Sequence, residues 1–369
     1  MQHIAFFIPN LSYGGAEKVV VNLVKEMSSQ GIELELIVTN SEGASQKHYL
    51  NQIPKEVKII NLGTSRILNT ILPLANYIKK QKPTAIISHL SHVNVAAILA
   101  QKISHSETQL ILVEHNTFSA HKSRGFTSKL VKYLMKLLYP QAKFIVSVSE
   151  AVRKDLEIYL DLESQKIKTI YNPVVSNELF IKAGASLNHP WFQSNWPPVF
   201  LAVGRLVELK DFSTLIKALA LLRKHNSARL VILGEGHLRV KLENLAKDLG
   251  ISEDVSLEGF VENPYAYMSR ATALVLSSRS EGLPTVLIEA MACGCPIIST
   301  DCLSGPKEIL DAGRYGALVP VGDEKLMSKA MLKILEEPPT NKEILIQRAI
   351  NIASSQKATT KYLELLEYK

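Results

Sequence analysis

The sequence has few cysteines, and all three lie in one short stretch, as Cys293, Cys295 and Cys302. Their spacing is not that of paired zinc ligands, and an odd number of cysteines is unsuited to a disulfide framework. We therefore expect free, buried thiols in a chain that folds in the reducing cytosol, and no metal bound through these residues.

Long hydrophobic runs are also missing. No apolar run approaches the roughly 20 residues that a membrane-spanning helix needs. Residues 1–9 lack the basic segment and cleavage site of a signal peptide, so we interpret them as a first strand. Low-complexity tracts are absent, and 46% of the 369 residues are hydrophobic, which is enough for two domains with full cores.

Acidic residues are scarce between Lys122 and Lys154, where the single acid is Glu150. Within this segment, lysines and large apolar residues recur at helical spacing and predict a basic amphipathic helix: Lys129, Leu130, Lys132, Tyr133, Leu134, Lys136, Leu137 and Leu138. Such a helix fits a solvated surface face, an anionic membrane surface or a groove for an anionic acceptor. Nucleic-acid binding is not expected, because no recognition motif accompanies the charge.

Apolar strands alternate with helical patterns in both halves of the chain. The alternation predicts the α/β class, with two doubly wound Rossmann-like domains facing a cleft. We place the domains at residues 1–178 and 179–353. The segment Asn172–Pro198 has no clear period and reads as the linker between them.

The stretch Ser280–Gly294 follows a predicted buried strand, Ala271–Leu276. Its glycine and proline predict a tight loop followed by an apolar helix with Pro284 at the first position. The free N–H groups of the helix start should face the carboxyl edge of the sheet, where anions bind. Glu281 and Glu289 frame that start, which suits a ligand carrying both a diphosphate and sugar hydroxyls.

Two cations, Arg205 and Lys210, lie in the loop after the strand Val199–Gly204. A guanidinium offers a planar fork to phosphate oxygens, and an ammonium offers a point charge. These groups are therefore candidates for binding a phosphate. The alternative is a pair of surface salt bridges to Glu208 or Asp211.

Three further features follow predicted strands. Gly14 and Gly15 follow the first strand and let the backbone approach a phosphate or sugar ring closely. His115 lies at the end of the strand Leu110–Thr117, where side chains point toward a ligand crevice. The alternative is that His115 only makes a capping or loop hydrogen bond. Gly234 opens a turn that resembles a truncated dinucleotide fingerprint, but Arg239 replaces its third glycine, so we favour a generic glycine turn over NAD binding.

Taken together, these motifs resemble the retaining glycosyltransferases of family 4, also called glycosyltransferase group 1, which have the GT-B fold. The resemblance covers nearly the whole chain. It is strongest in the second half, at Gly204–Leu206 with Lys210, Gly234–Gly236, Gly259–Phe260, Ser280–Pro284 and Ala290–Gly294, with seven residues between the two glutamates.

The resemblance implies an N-terminal acceptor domain, a C-terminal nucleotide-sugar domain, and a last segment, residues 354–369, whose helix crosses back to the first domain. It implies that His115, Arg205, Lys210 and Glu281 act in catalysis. Glu281 would contact the transferred sugar, and Glu289 would hold the ribose. The other donor-binding residues would be Gly14, Gly15, Gly234, Phe260, Val261, Gly282, Leu283, Pro284 and Thr285. Two residues depart from the common pattern, because His237 and Ser277 stand where many relatives have proline.

The resemblance also implies the reaction. A hexose or N-acetylhexosamine would pass from a nucleotide sugar, most often a UDP-sugar, to a glycan or lipid-linked acceptor in surface polysaccharide or glycoconjugate synthesis. No cofactor or metal is expected, and the enzyme would be cytoplasmic, peripheral at the inner face of the plasma membrane. Two alternatives stay open at this point: a sugar-nucleotide epimerase of similar architecture and a non-catalytic nucleotide-sugar-binding protein.

Overall fold

A computed structural model describes residues 3–12, 14–40, 47–117, 126–193, 196–338 and 341–367. Lys122 and Arg124 of the predicted basic segment lie outside these ranges. The chain divides into two compact units. The first comprises Met1–Val174 and Ser355–Lys369, and the second comprises Val175–Ser354.

The first unit is built on one sheet of seven parallel strands, in the order β3-β2-β1-β4-β5-β6-β7. The strands are β1 (His3–Ile8), β2 (Glu33–Val38), β3 (Lys58–Asn61), β4 (Ala85–His89), β5 (Gln109–Glu114), β6 (Phe144–Ser147) and β7 (Ile167–Thr169).

Helices connect these strands. They are α1 (Gly15–Ser29), α2 (Lys47–Leu50), α3 (Ile71–Gln81), α4 (Ser91–Ser104), α5 (Phe126–Leu138) and α6 (Glu150–Leu160), with single 3₁₀ turns at Ile67–Thr70, Tyr139–Gln141 and Ser164–Lys166. The chain's last helix, Ser355–Leu365, also belongs to this unit and packs on α1. Tyr362 in this helix is buried.

The second unit has a sheet of six parallel strands, in the order β10-β9-β8-β11-β12-β13. The strands are β8 (Val199–Val203), β9 (Arg229–Leu233), β10 (Val255–Gly259), β11 (Ala273–Leu276), β12 (Ile297–Thr300) and β13 (Ala317–Val319).

The helices of the second unit are α7 (Asn177–Ala183), α8 (Phe212–Arg223), α9 (Arg239–Asp248), α10 (Pro264–Met268), α11 (Thr285–Ala292), α12 (Pro306–Ile309), α13 (Glu324–Glu336) and α14 (Lys342–Ala353), and the helix Ser355–Leu365 is then α15. Single 3₁₀ turns lie at Pro190–Phe192, Glu208–Lys210 and Ser252–Asp254. The central strands are almost wholly apolar because their side chains are buried on both faces of the sheet.

Both sheets reverse their strand order once. The reversal falls between β1 and β4 in the first unit and between β8 and β11 in the second. In open α/β sheets, ligands bind outside the carboxyl ends of the strands at this point. The loops that matter most are therefore those that follow β1, β4, β8 and β11. The predicted α/β class with two doubly wound sheets is confirmed.

Two local predictions were wrong. The predicted linker Asn172–Pro198 contains a helix, α7, which packs on α10 and α11. Asn263 and Ser269 also donate hydrogen bonds to the carbonyls of Lys182 and Ala183 at its end. A seven-residue helix with Leu179 as its one buried side chain depends on such tertiary contacts, so its sequence shows no amphipathic period. In addition, α11 begins at Thr285, and Pro284 is its N-cap.

Gly234 allows two loops of the second unit to lie against each other. It has a φ of +141°, and a Cβ added there would lie 2.0 Å from the carbonyl oxygen of Gly204. Its N–H donates to the Gly259 carbonyl at 2.7 Å. A side chain would therefore separate the loops that follow β8, β9 and β10.

We expect Gly234→Ala to lower the free energy of unfolding of the second unit by about 2–3 kcal/mol more than the control Gly250→Ala. Gly250 also has a positive φ, +69°, but nothing lies within 4 Å of its added Cβ. Urea unfolding followed by tryptophan fluorescence measures the difference, because both tryptophans, Trp191 and Trp196, belong to this unit. Equal costs for the two variants would contradict the close approach.

Candidate active site

Two side chains from different loops meet at the switch point of the second unit. Lys210 lies in the loop after β8, Glu281 lies in the loop after β11, and Lys210 Nζ is 2.6 Å from Glu281 Oε1. Both side chains are largely buried, with exposures of 19% and 12%. The pairing follows from the topology, because β8 and β11 are neighbours and their carboxyl ends open at the same edge.

Serines fix the loop that carries Glu281. Ser278 Oγ donates to Glu281 Oε1 at 2.6 Å, so one carboxylate oxygen accepts from two donors. Ser304 Oγ donates to the Glu281 carbonyl. Ser277 Oγ donates to the Lys210 carbonyl at 2.7 Å and joins the two loops. Ser277 is therefore a structural tie between the loops.

The acids beside the cations have other partners. Asp211 accepts from Arg279 Nε and Thr214 Oγ1, both at 3.0 Å, and Glu208 pairs with His237 at 3.1 Å. The alternative of ion pairs from Arg205 or Lys210 to these two acids is therefore wrong.

Arg205 is exposed and carries an uncompensated charge. Among the residues that the structure describes, its guanidinium makes no hydrogen bond or ion pair, whereas Lys210 is bound to Glu281. The loop after β8 thus presents one free guanidinium at the carboxyl edge of the sheet. A planar fork of N–H donors at such a place is suited to an oxyanion.

The start of α11 completes this edge. The chain bends at Gly282, Leu283 and Pro284 are buried, and α11 begins at Thr285. The neighbouring loop supports the bend: Gly305 has a φ of +90°, and a Cβ there would lie 2.4 Å from Pro284 Cδ.

Glu289 is the polar exception in a helix whose other residues from Val286 to Ala292 are apolar and buried. It is 5% exposed. A carboxylate in such surroundings is costly unless it is paired, and Glu289 does have an interaction partner within the protein.

Phe260 and Val261 follow β10 at the same edge of the second sheet. Phe260 is 52% exposed, an unusual exposure for a phenylalanine, and Val261 is half-buried. Gly234 lies one strand nearer the switch point. An exposed ring beside glycine turns is suited to stacking on a planar base.

A groove of about 850 Å³ lies beside this edge, against α8 and α9. Glu208, His237, Lys241 and Arg279 are among its lining residues. It contains none of the predicted catalytic residues or donor-binding residues of this unit. We therefore place the site at the strand ends and not in this groove.

The first unit holds the remaining predicted residues. Gly14 is the N-cap of α1, in an extended conformation, and Gly15 is the first helical residue and is exposed. His115 follows β5 and is half-buried. Burial lowers the pKa of His115 to about 4, so its imidazole is neutral at pH 7.

Two residues beside His115 were given no role by the sequence reasoning. His89 ends β4, and its Nδ1 lies 3.0 Å from His115 Nε2. Glu114 is buried and accepts from Asn94 Nδ2 and Ser91 Oγ, both at 2.8 Å, and from the Tyr139 hydroxyl. Burial raises the pKa of Glu114. The rule that singled out His115, a polar residue at the end of an apolar strand, would have found His89 had the strand been extended by one residue.

The basic helix was predicted correctly and is α5. Its exposed face carries Leu130, Tyr133 and Leu137, with exposures of 40%, 66% and 56%. Lys129, Lys132 and Lys136 lie next to this apolar stripe.

Within the described ranges, no helix is both long and apolar enough to span a bilayer. No group of three or more histidine, cysteine, aspartate or glutamate residues in the described part of the chain is arranged to hold a metal.

Two family models match the chain. Residues 191–351 match the glycosyl transferases group 1, and residues 13–178 match glycosyltransferase family 4. A Campylobacter jejuni protein, N-acetylgalactosamine-N,N'-diacetylbacillosaminyl-diphospho-undecaprenol 4-alpha-N-acetylgalactosaminyltransferase, is 32% identical over 352 residues, which cover 93% of this chain and 92% of that one.

A second relative is the lipopolysaccharide 1,6-galactosyltransferase of Salmonella typhimurium, which is 26% identical over 84% of this chain and 83% of that one. Among solved structures, Anabaena Alr3699/HepE in complex with UDP and glucose superposes with a TM-score of 0.78, at 18% identity and full coverage of both chains. At that identity the structural match shows the fold alone. The chain therefore belongs to the group 1 glycosyltransferases of family 4 and has their two-domain α/β GT-B fold.

Proposed function

We propose that this glycosyltransferase moves an N-acetylhexosamine or hexose from a UDP-sugar to a lipid-linked acceptor, with retention of configuration and without a metal. The observation that carries the proposal is the strand-end site of the second unit. There an unpaired guanidinium, a lysine–glutamate pair and a helix start lie at one edge of the sheet.

The positive groups of this site would promote departure of the diphosphate. As the anomeric C–O bond to phosphate breaks, negative charge grows on the leaving diphosphate. Arg205, Lys210 and the N–H groups at the start of α11 would stabilise this charge where it develops, which lowers the barrier more than it strengthens ground-state binding. Arg205 and Lys210 would supply the neutralisation that a divalent metal supplies in other transferases.

The two glutamates would bind different parts of the donor, the transferred sugar and the ribose. Glu281 is held by Lys210 and Ser278 through Oε1, which leaves Oε2 for a hydroxyl of the transferred sugar. Glu289, about one turn along α11, would accept from the ribose hydroxyls, and Phe260 and Val261 would lie against the base. In the first unit, neutral His115 would contact the sugar, and the loop at Gly14 and Gly15 would lie near the phosphates.

The relatives support the donor, the acceptor and the stereochemistry. The name of the Campylobacter jejuni protein gives it a diphospho-undecaprenol acceptor and an α-linked N-acetylgalactosamine product. Nucleoside-diphosphate hexosamines carry an α anomeric bond, so an α product means net retention. The Anabaena structure holds UDP.

We place the acceptor at the inner face of an anionic membrane and assign the contact to α5. Its exposed leucines and tyrosine can enter the headgroup layer, and its lysines can lie against anionic lipids. A water-soluble sugar nucleotide and a lipid-linked acceptor would then meet at one surface.

The decisive experiment supplies undecaprenyl-diphosphate-linked saccharides with UDP-N-acetylgalactosamine, UDP-glucose or GDP-mannose, with and without EDTA. We expect transfer from a UDP-sugar that EDTA does not slow, and an α-linked product by proton NMR. Release of free sugar without an acceptor, or epimerisation at C2, would redirect the assignment toward a hydrolase or an epimerase. Binding of UDP without any turnover would indicate a sensor.

Arg205→Ala should lower kcat roughly 10²-fold, because one charge-stabilising donor is lost from the transition state. Arg314→Ala is the control, since Arg314 is exposed in the same unit at 73%. Steady-state rates at saturating donor measure the effect. An unchanged kcat would remove Arg205 from the proposed mechanism.

Glu289→Gln and Glu281→Gln should separate binding from turnover. We expect Glu289→Gln to raise the donor KM with little change in kcat, because ribose contacts are the same in the ground and transition states. Glu281→Gln should mainly lower kcat, because it also loosens Lys210. Two variants that differ from the wild type in KM alone would show that the glutamates do not divide these roles.

Changing Lys129, Lys132 and Lys136 together to glutamate should weaken binding to phosphatidylglycerol vesicles by roughly 10²-fold or more, at about 1 kcal/mol for each lysine lost. The matched control changes Lys325, Lys329 and Lys333 on α13, three exposed lysines on another amphipathic helix. Vesicle co-sedimentation at fixed salt measures both. Equal losses in the two triple variants would show that α5 is not the contact.

A further inference from the structure

A second histidine lies beneath His115. His89 is fully buried, and the two ring centroids are 5.3 Å apart with an interplanar angle of 31°. Its Nδ1 is 3.0 Å from His115 Nε2, which is an ordinary hydrogen-bond distance. One of these nitrogens must therefore carry a proton, and the other must be unprotonated.

Both rings are neutral. Burial lowers the pKa of His115 to about 4, and burial together with the nearby His115 holds the pKa of His89 well below its usual value. Two neutral rings allow two arrangements. Either His89 Nδ1–H donates to His115 Nε2, or His115 Nε2–H donates to His89 Nδ1.

The second nitrogen of His89 separates these arrangements. Its Nε2 is buried and has no hydrogen-bond partner among the described residues. If His115 were the donor, neutral His89 would carry its proton on this Nε2 and bury an N–H without an acceptor. If His89 is the donor, the same nitrogen is an unprotonated acceptor. Buried N–H groups without a partner are the rarer of the two, so donation from His89 is favoured.

The surroundings hold both rings in place. Phe6 stacks on His89 with centroids 6.2 Å apart. On the other side, Asn94 Nδ2 donates to the Val113 carbonyl and to the Glu114 carboxylate, and so fixes the strand end just before His115. With its Nε2 engaged by His89, His115 has Nδ1 as its remaining polar atom, and it is the more exposed ring of the pair.

We propose that His89 is a positioning residue that holds His115 in the Nδ1–H tautomer. His115 then offers a hydrogen-bond donor, rather than an acceptor, to a hydroxyl oxygen of the sugar substrate. The part that concerns the sugar rests on the proposed function. The tautomer itself does not, and this makes the two separately testable.

The test uses the full-length protein with 15N-labelled histidine. Long-range 1H–15N spectra distinguish a protonated ring nitrogen from an unprotonated one. We expect wild-type His115 to be protonated at Nδ1 and unprotonated at Nε2. Protonation at Nε2 in the wild type would overturn the assignment without any variant, so the outcome does not depend on whether variants fold.

Two variants then test the role. In His89→Asn the side-chain amide can replace the Nδ1–H donor, whereas His89→Leu cannot donate. We expect His89→Asn to keep the Nδ1–H tautomer and most of kcat. We expect His89→Leu to give mixed tautomers and a kcat roughly threefold to tenfold lower at a nearly unchanged KM, the size of one hydrogen bond. Ser88→Ala is the control, since Ser88 is the buried neighbour whose hydroxyl has no partner among the described residues.

Equal losses of kcat in both His89 variants, with the His115 tautomer unchanged, would reduce His89 to a packing role and overturn the proposal. A wild-type protein that transfers no sugar would overturn the proposed function instead, while the spectrum would still decide the tautomer.

Discussion

The ion pair between Lys210 and Glu281 is the contact on which the candidate site depends. It joins the loops that follow β8 and β11, and the Ser277 hydroxyl ties the same two loops at a further place by donating to the Lys210 carbonyl. Burying such a pair contributes little net stability, because desolvation offsets much of the attraction. Its value is positional: it holds a carboxylate and an ammonium at the strand ends while Arg205 stays free.

In the first unit, two neutral imidazoles are held together at the strand ends in a comparable way. His89 ends β4, His115 follows β5, and these strands are neighbours in the sheet, so the two imidazoles meet at the carboxyl edge. The buried Glu114 and its three donors anchor the strand end between them. The charged side chains that we propose for donor binding therefore lie in the second unit, whereas the first unit presents a pair of neutral imidazoles.

The loops that hold the candidate site could be predicted because open parallel α/β sheets bind ligands at the loops that follow the carboxyl ends of their strands. Apolar runs marked the strands, and the loops just after them contained Gly14 and the polar residues His115, Arg205, Lys210 and Glu281. Long, strongly patterned helices such as α5 and α13 were also predicted correctly. The short helix α7 was not, because its few residues are held by contacts from α10 and α11 that no local pattern encodes.

The sequence by itself determined the fold class, the family and the loops that form the candidate site, since these depend on local pattern and motif order. Only the tertiary structure decided which side chains contact each other in the candidate site. It paired Lys210 with Glu281, 71 positions away, rather than with the adjacent Asp211, and it placed His89 against His115, 26 positions away. The physical reason is that partner choice depends on which strands are neighbours, and the crossovers of a parallel sheet bring together strand ends that lie far apart in the chain.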